Sequence, residues 1–122
     1  MNDFFRFPHT SHIAWLGKGS PRDDKVLNHA DVENLLAGEI LVEEKLDGAN
    51  LGISVNAQGD LQAQNRGQYL IEPYNGQFSR LSTWLKQHKY ALLDHLEPSW
   101  LLFGEWCAAR HSIAYQSLPD WF

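Results

Sequence analysis

The spacing of apolar positions along this chain changes period twice. "EILVEEKL" and "NLGISVN" carry the β-branched and alternating apolar positions of strands. "NAQGD", Asn56 to Asp60, supplies the turn chemistry between the second of these and "LQAQN". The three segments predict an antiparallel meander. From Phe78 the period becomes helical: Phe78, Leu81 and Leu85, with Trp84 beside them and Leu92 beyond, predict a helix that covers the sheet and is closed off by Pro98. "SWLLFGEWCA" then returns to a mostly apolar strand holding one acid, Glu105. Ahead of the strands, "ADVENLLAG" predicts a short helix with Asp31 as N-cap, Leu35 and Leu36 turned inward and Gly38 as a left-handed stop. Residues 1–30 form an irregular polar arm, in which "GKGSPRDD", Gly17 to Asp24, reads as an exposed loop. The fold class is α+β, a mostly antiparallel sheet with packed helices.

Composition narrows the classes. A chain of 122 residues fits one modest domain, and 43% hydrophobic with 20% charged residues is ordinary for a folded protein. Ten Lys plus Arg against fifteen Asp plus Glu leave a net charge of −5, which gives no footprint for tight sequence-independent nucleic-acid binding, so any such contact must be local. The single cysteine, Cys107, cannot form an intrachain disulfide, and a reducing compartment, the cytoplasm, is the expectation. "MNDFFRFPHTSH" lacks the apolar core of a signal peptide and no run approaches a membrane span, so no membrane partner is expected.

The chemistry centres on Lys45. In an extended Glu43 to Asp47, period-two alternation sets Glu43, Lys45 and Asp47 on one face and Glu44 and Leu46 on the other. A free lysine amine is almost wholly protonated near pH 7, and neighbouring carboxylates hold its proton more firmly, so alone it is a poor nucleophile. A salt-bridged lysine at a strand end is the plain reading. Gly48, directly after Asp47, permits a tight turn or close backbone approach to a ligand. A divalent metal with nucleotide phosphates would offset the acids and promote the neutral amine.

Lys45-Leu46-Asp47-Gly48 resembles the K-x-D-G signature of covalent nucleotidyltransferases: ATP-dependent RNA ligases, DNA ligases and messenger-RNA capping enzymes. "NRG" at Asn65 to Gly67 follows where their second signature stands, and "LLFGEW" at Leu101 to Trp106 resembles the third, an apolar strand ending in Gly-Glu. "FPHTSHIAWLG", "EKLDGAN" with Asn50, and "FGEWCAARHSIAYQSLPDWF" are similar to a bacterial and phage-type RNA ligase domain. The DNA ligase and capping-type alternative shares Lys45 and Glu105 but accounts less well for "HTSH" and "ARHSIAY". A non-catalytic nucleotide-binding module is the alternative from a different class.

The resemblance implies a nucleotidyltransferase, ATP-grasp-like domain. It also implies a mechanism in which Lys45 attacks the α-phosphate of ATP to form lysyl-AMP, with Mg2+ or Mn2+. The adenylate then passes to an RNA 5′-phosphate that a 3′-hydroxyl seals. Carried over by position, Glu44 borders the adenine pocket, Asp47 organises the lysine or metal side, and Gly48 lets the backbone approach the nucleotide. Asn50 completes the signature; Arg66 contacts ribose or a phosphate with its planar fork. Glu105 holds a ribose hydroxyl or supports the metal. Arg110, His111, His9 and His12 are weaker candidates for RNA or phosphate contact. Read from the residues alone, Glu44 is equally an exposed strand acid, Asn-Arg-Gly a turn, and His9 and His12 polar-arm residues. Trp84, Trp100, Trp106 and Tyr115 are read as core aromatics rather than base-stacking platforms.

In such ligases a fourth signature with a metal-binding glutamate and a fifth with lysines lie beyond the aromatic strand, and neither is present here. The expectation is therefore a single partial domain, 1–122, the N-terminal portion of an adenylyltransferase with little complete ligation of its own. An exposed sheet edge then predicts a homodimer or a further segment as partner.

Overall fold

The computed structural model describes residues 4–21 and 24–122. The loop expected at Arg22 and Asp23, and the start of the polar arm at 1–3, lie outside the described residues. The chain divides into two compact units, one of residues 8–44 and one of residues 1–7 with 45–122.

The smaller unit holds helix α1, His29–Leu36. Its N-cap is Asn28, whose side chain accepts from the Asp31 amide at 2.8 Å; Asp31, expected as the cap, is the donor. The helix starts three residues earlier than expected because Asn28 takes the extended cap conformation, with a side-chain oxygen in reach of an orphan N–H. Leu35 and Leu36 are exposed rather than turned inward, and Ala37, right-handed, is the C-cap in place of a left-handed Gly38. A unit in which no described residue is buried offers these leucines no interior. A parallel bridge joins His12 to Val26, with His12 N–H donating to the Lys25 carbonyl and Leu27 N–H to that of His12, both at 2.8 Å.

The larger unit is a four-stranded antiparallel sheet in the order β3-β2-β1-β4, comprising β1 Ala49–Val55, β2 Leu61–Gln64, β3 Tyr69–Leu70 and β4 Leu102–Trp106. Helix α2, Leu81–His95, packs on it, preceded by a 3-10 turn at Gly76–Phe78. The β1–β2 turn is built as the sequence predicts: Asn56 Oδ1 accepts from the amides of Gln58 and Asp60, and Gly59 takes a positive φ of 84°. Alternation along β1 sends Leu51 and Ile53 into a core with Ala63, Trp106 and the α2 residues Leu81, Trp84 and Leu85. The chain end folds back onto this core, where the Trp84 indole donates to Asp120 at 2.8 Å and Cys107 N–H donates to the Trp121 carbonyl at 2.7 Å.

Two strand expectations change. "EILVEEKL" is not a strand; Glu39 to Lys45 are exposed and irregular, so the shared face of Glu43, Lys45 and Asp47 does not exist. The reason lies in pairing: both flanks of β1 are filled, by β2 at Ile53–Ala63 and by β4 at Asn50–Glu105, so no third strand can join it there. The helix begins at Leu81 rather than Phe78 and ends at His95, three residues before Pro98. Trp84 and Trp106 are core as expected, but Trp100 is exposed in the turn ahead of β4. Among the described residues no helix is long and apolar enough to cross a membrane.

Candidate functional site

The site residues follow from the ends of β1, β2 and β4. Antiparallel register sets Asn50 opposite Glu105 and Ala49 opposite Trp106, so Asn50 and Glu105 share one sheet face while Ala49 and Trp106 share the other. The β2–β3 turn is organised by Asn65. Its Oδ1 accepts from the amides of Gly67 and Gln68 at 2.9 Å, and its own N–H donates to the Gln68 carbonyl at 3.0 Å. Asn-Arg-Gly is thus a turn, and one that presents Arg66 at its apex.

This turn, the start of β1 and the 3-10 turn border an open, shallow cavity of about 450 Å³. Asn50, Asn65, Arg66 and Gln68 line it with Gln77 and His111, which hydrogen-bond each other at 2.8 Å. Gln77 is fixed in turn by the Trp106 indole, which donates to its carbonyl at 2.8 Å. The buried Asn50 Oδ1 has no hydrogen-bond partner among the described residues. An unpaired buried acceptor is costly and attracts a donor. The walls therefore combine a guanidinium and several amides, a set that suits an anionic ligand with N–H or O–H groups.

Asp47 is committed elsewhere. Its carboxylate accepts from the Ser112 amide at 2.9 Å and from the Ser112 hydroxyl in a short bond, while its own N–H donates to the Tyr115 hydroxyl at 2.6 Å. The Ser112 hydroxyl, then its amide, hold the Asp47 carboxyl below the ordinary carboxylate range; partial burial opposes them, and the charge of His111 and the Ile113 amide assist. Gly48 is confined as well: a Cβ there would lie 2.5 Å from the Trp106 carbonyl oxygen and 2.9 Å from Cys107 Sγ. Burial, then the charges of Glu105 and Asp47, push the Cys107 thiol up.

The structure thus brings Asn50, Arg66 and His111 to one cavity and ties Asp47 to the loop that carries His111. Lys45 is exposed, as is Arg110, and neither lines the cavity; nor do Asp47, Gly48 and half-buried Glu105. Glu44, His9 and His12 belong to the other compact unit, where His12 is taken up by its bridge and by Asp24 at 3.5 Å. Ser112, Gln77, Gln68 and Asn65 were not singled out from sequence. The signal for Ser112 and Tyr115 was present in "HSIAY", but not the identity of their partner. Among the described residues no three His, Cys, Asp or Glu side chains converge as metal ligands.

No curated protein and no solved structure matches the chain significantly. A family model described as RNA ligase matches residues 38–122, the span that holds the lysine signature, the Arg66 turn, β4 and the "RHSIAY" loop. With well over half its length matched, this chain belongs to the RNA ligase family.

Proposed function

We propose that the protein is an ATP-dependent RNA ligase-type adenylyltransferase. The observation that carries this reading is the cavity in which Asn50, Arg66 and His111, drawn from three separate parts of the chain, stand together. ATP is the nucleotide it takes, with Mg2+ or Mn2+ arriving on the phosphates as part of the substrate. Arg66 binds a phosphate or ribose oxygen, and Asn50 stands in the same wall.

In the first step the lone pair of Lys45 Nζ forms the bond to the α-phosphorus. The bond from that phosphorus to the bridging oxygen breaks, and its electron pair leaves on pyrophosphate. The ammonium gives up one proton before attack and a second as the P–N bond forms, both to solvent, which reaches this exposed side chain freely. An RNA 5′-phosphate oxygen then displaces Lys45 from the adenylate, and an RNA 3′-hydroxyl displaces AMP to join the ends. Gly48 and Glu105 complete the nucleotide's surroundings in this reading. Arg110, exposed on the loop that carries His111, is the group offered to RNA.

The test is intact mass after incubation with ATP and magnesium or manganese, alongside Lys45→Ala. The expected result is an AMP adduct on the wild type and none on the variant. An adduct that persists in Lys45→Ala removes Lys45 from its role, and no adduct on the wild type overturns the proposal.

A further inference from the structure

The face of the sheet turned away from α2 is covered by the chain's own beginning. Gly52 stands opposite Gln64 on one side and Phe103 on the other, and a Cβ at Gly52 would lie within 2.8 Å of both side chains, so only glycine lets them meet. Over this row lie Phe4, Phe5 and Phe7. Phe4 meets the Tyr69 ring edge-on at 5.1 Å, Phe5 packs on Phe103 at 6.3 Å, and Phe7 meets Phe103 at 5.0 Å. Gln64, 1% exposed, fastens the strap by donating from Nε2 to the Phe5 carbonyl at 2.7 Å. The outer end of the strap reaches the cavity wall, because the Arg66 guanidinium lies over the Phe7 ring with Cζ 5.3 Å from its centroid.

An arginine on a turn apex has many rotamers, and holding it still takes contacts from outside the turn. Asn65 spends its side-chain oxygen on the backbone of this turn, at the Gly67 and Gln68 amides. The Phe7 ring supplies that contact. A cation–π contact uses the charge of the guanidinium and not its N–H hydrogen bonds, which stay available to a phosphate or ribose oxygen. We infer that Phe7 is a positioning residue that orients Arg66 toward the nucleotide, with Gln64 and Phe103 holding Phe7 in place. The inference rests on the nucleotide reading of the cavity proposed above.

The test compares Phe7→Leu, Phe7→Tyr and each combined with Arg66→Gln. ATP dependence of AMP-adduct formation should show half-saturation raised about threefold in Phe7→Leu, the factor an exposed cation–π contact supplies, with the maximal rate little changed and Phe7→Tyr close to wild type. In the Arg66→Gln background Phe7→Leu should add nothing. An equal loss in both backgrounds, or no rescue by tyrosine, overturns the inference. A second measurement does not depend on activity: the Arg66 Hε proton resonance should carry a ring-current shift in wild type and Phe7→Tyr that disappears in Phe7→Leu. A resonance unmoved by Phe7→Leu overturns the inference by itself. A wild type that forms no adduct yet shows the ring-current shift overturns the ligase reading and leaves the held guanidinium standing.

Discussion

Gly48→Ala separates two explanations of the glycine in Lys-Leu-Asp-Gly. The positive-φ glycines are Gly19, Gly59 and Gly76, so the backbone at Gly48 is open to alanine and the effect of substitution is purely steric. The new Cβ would stand 2.5 Å from the Trp106 carbonyl oxygen and 3.0 Å from its carbon. Cys107 Sγ, at 2.9 Å, is a side-chain end that can swing aside. The Trp106 carbonyl cannot follow it easily. Its side chain is 0% exposed, its indole donates to Gln77, and the next amide donates to Trp121. Relieving the overlap means moving the end of β4 against a packed core, which costs about 1–3 kcal/mol. At about 2 kcal/mol, and with urea slopes of about 1–3 kcal/mol per molar, the urea midpoint should fall by roughly 1 M with an unchanged slope. Tryptophan fluorescence reads the transition, and Cys107→Ala in the same background should restore little of the loss. An unchanged midpoint in Gly48→Ala, or full recovery with Cys107→Ala, refutes the carbonyl clash as the reason for this glycine.

Acid stability tests the Asp47–Ser112 clasp. Asp47 is held below its usual range mainly by Ser112, and Asp120 by the Trp121 amide, with the Trp84 indole and His88 assisting against partial burial. A carboxyl depressed in the folded state stabilises above its unfolded value and loses that contribution as pH falls through the folded one, so the loss should develop below about pH 4. Ser112→Ala should bring the Asp47 titration, followed by carboxyl NMR, back up toward the ordinary range and flatten the acid limb; an unmoved titration refutes the clasp. Asp47→Asn keeps an oxygen to accept from Ser112, whereas Asp47→Ala does not. The asparagine variant should form the AMP adduct within about threefold of the wild-type rate and the alanine variant roughly tenfold more slowly or worse. Equal losses in the two would show that the charge, not the hydrogen bond, is what Asp47 supplies.

What could be read from the sequence was local. The Asn56 turn, β1, β2, the body of α2 and β4 are each fixed by a cap, a turn residue or an amphipathic period within a few positions, and they stand where those signals put them. "EILVEEKL" failed because a strand exists only where a neighbour has a free edge, and its apolar residues say nothing about whether β1 is already paired on both sides. β3 was missed for the opposite reason: two residues carry no period, and Tyr69 and Leu70 are strand only because Gln64 and Ala63 lie opposite. Leu35 and Leu36 have helical spacing without an interior to face.

The same division runs through the site. The residue types of the lysine signature, the Arg66 turn and β4 were legible, and they led to the family that the comparison bears out. Their partners were not, because each contact spans a long stretch of chain: Asp47 to Ser112 and Tyr115, Gln64 to Phe5, Trp106 to Gln77. Those contacts alter the physical account of the motif. Asp47 and Gly48, read as groups aimed at a ligand, spend their carboxylate and their missing side chain on the protein itself, joining the lysine segment to the end of β4 and to the loop of His111. Lys45 is left as the exposed member of its own signature. In the proposed mechanism this lysine, in water beside the Asp47–Ser112 clasp, is placed by its neighbours' packing rather than by ion pairs of its own. Substitutions at Asp47 or Gly48 would therefore displace the cavity wall before they touched any nucleotide, and a loss of adduct in such variants counts as evidence about the site only when the fold has been measured beside it.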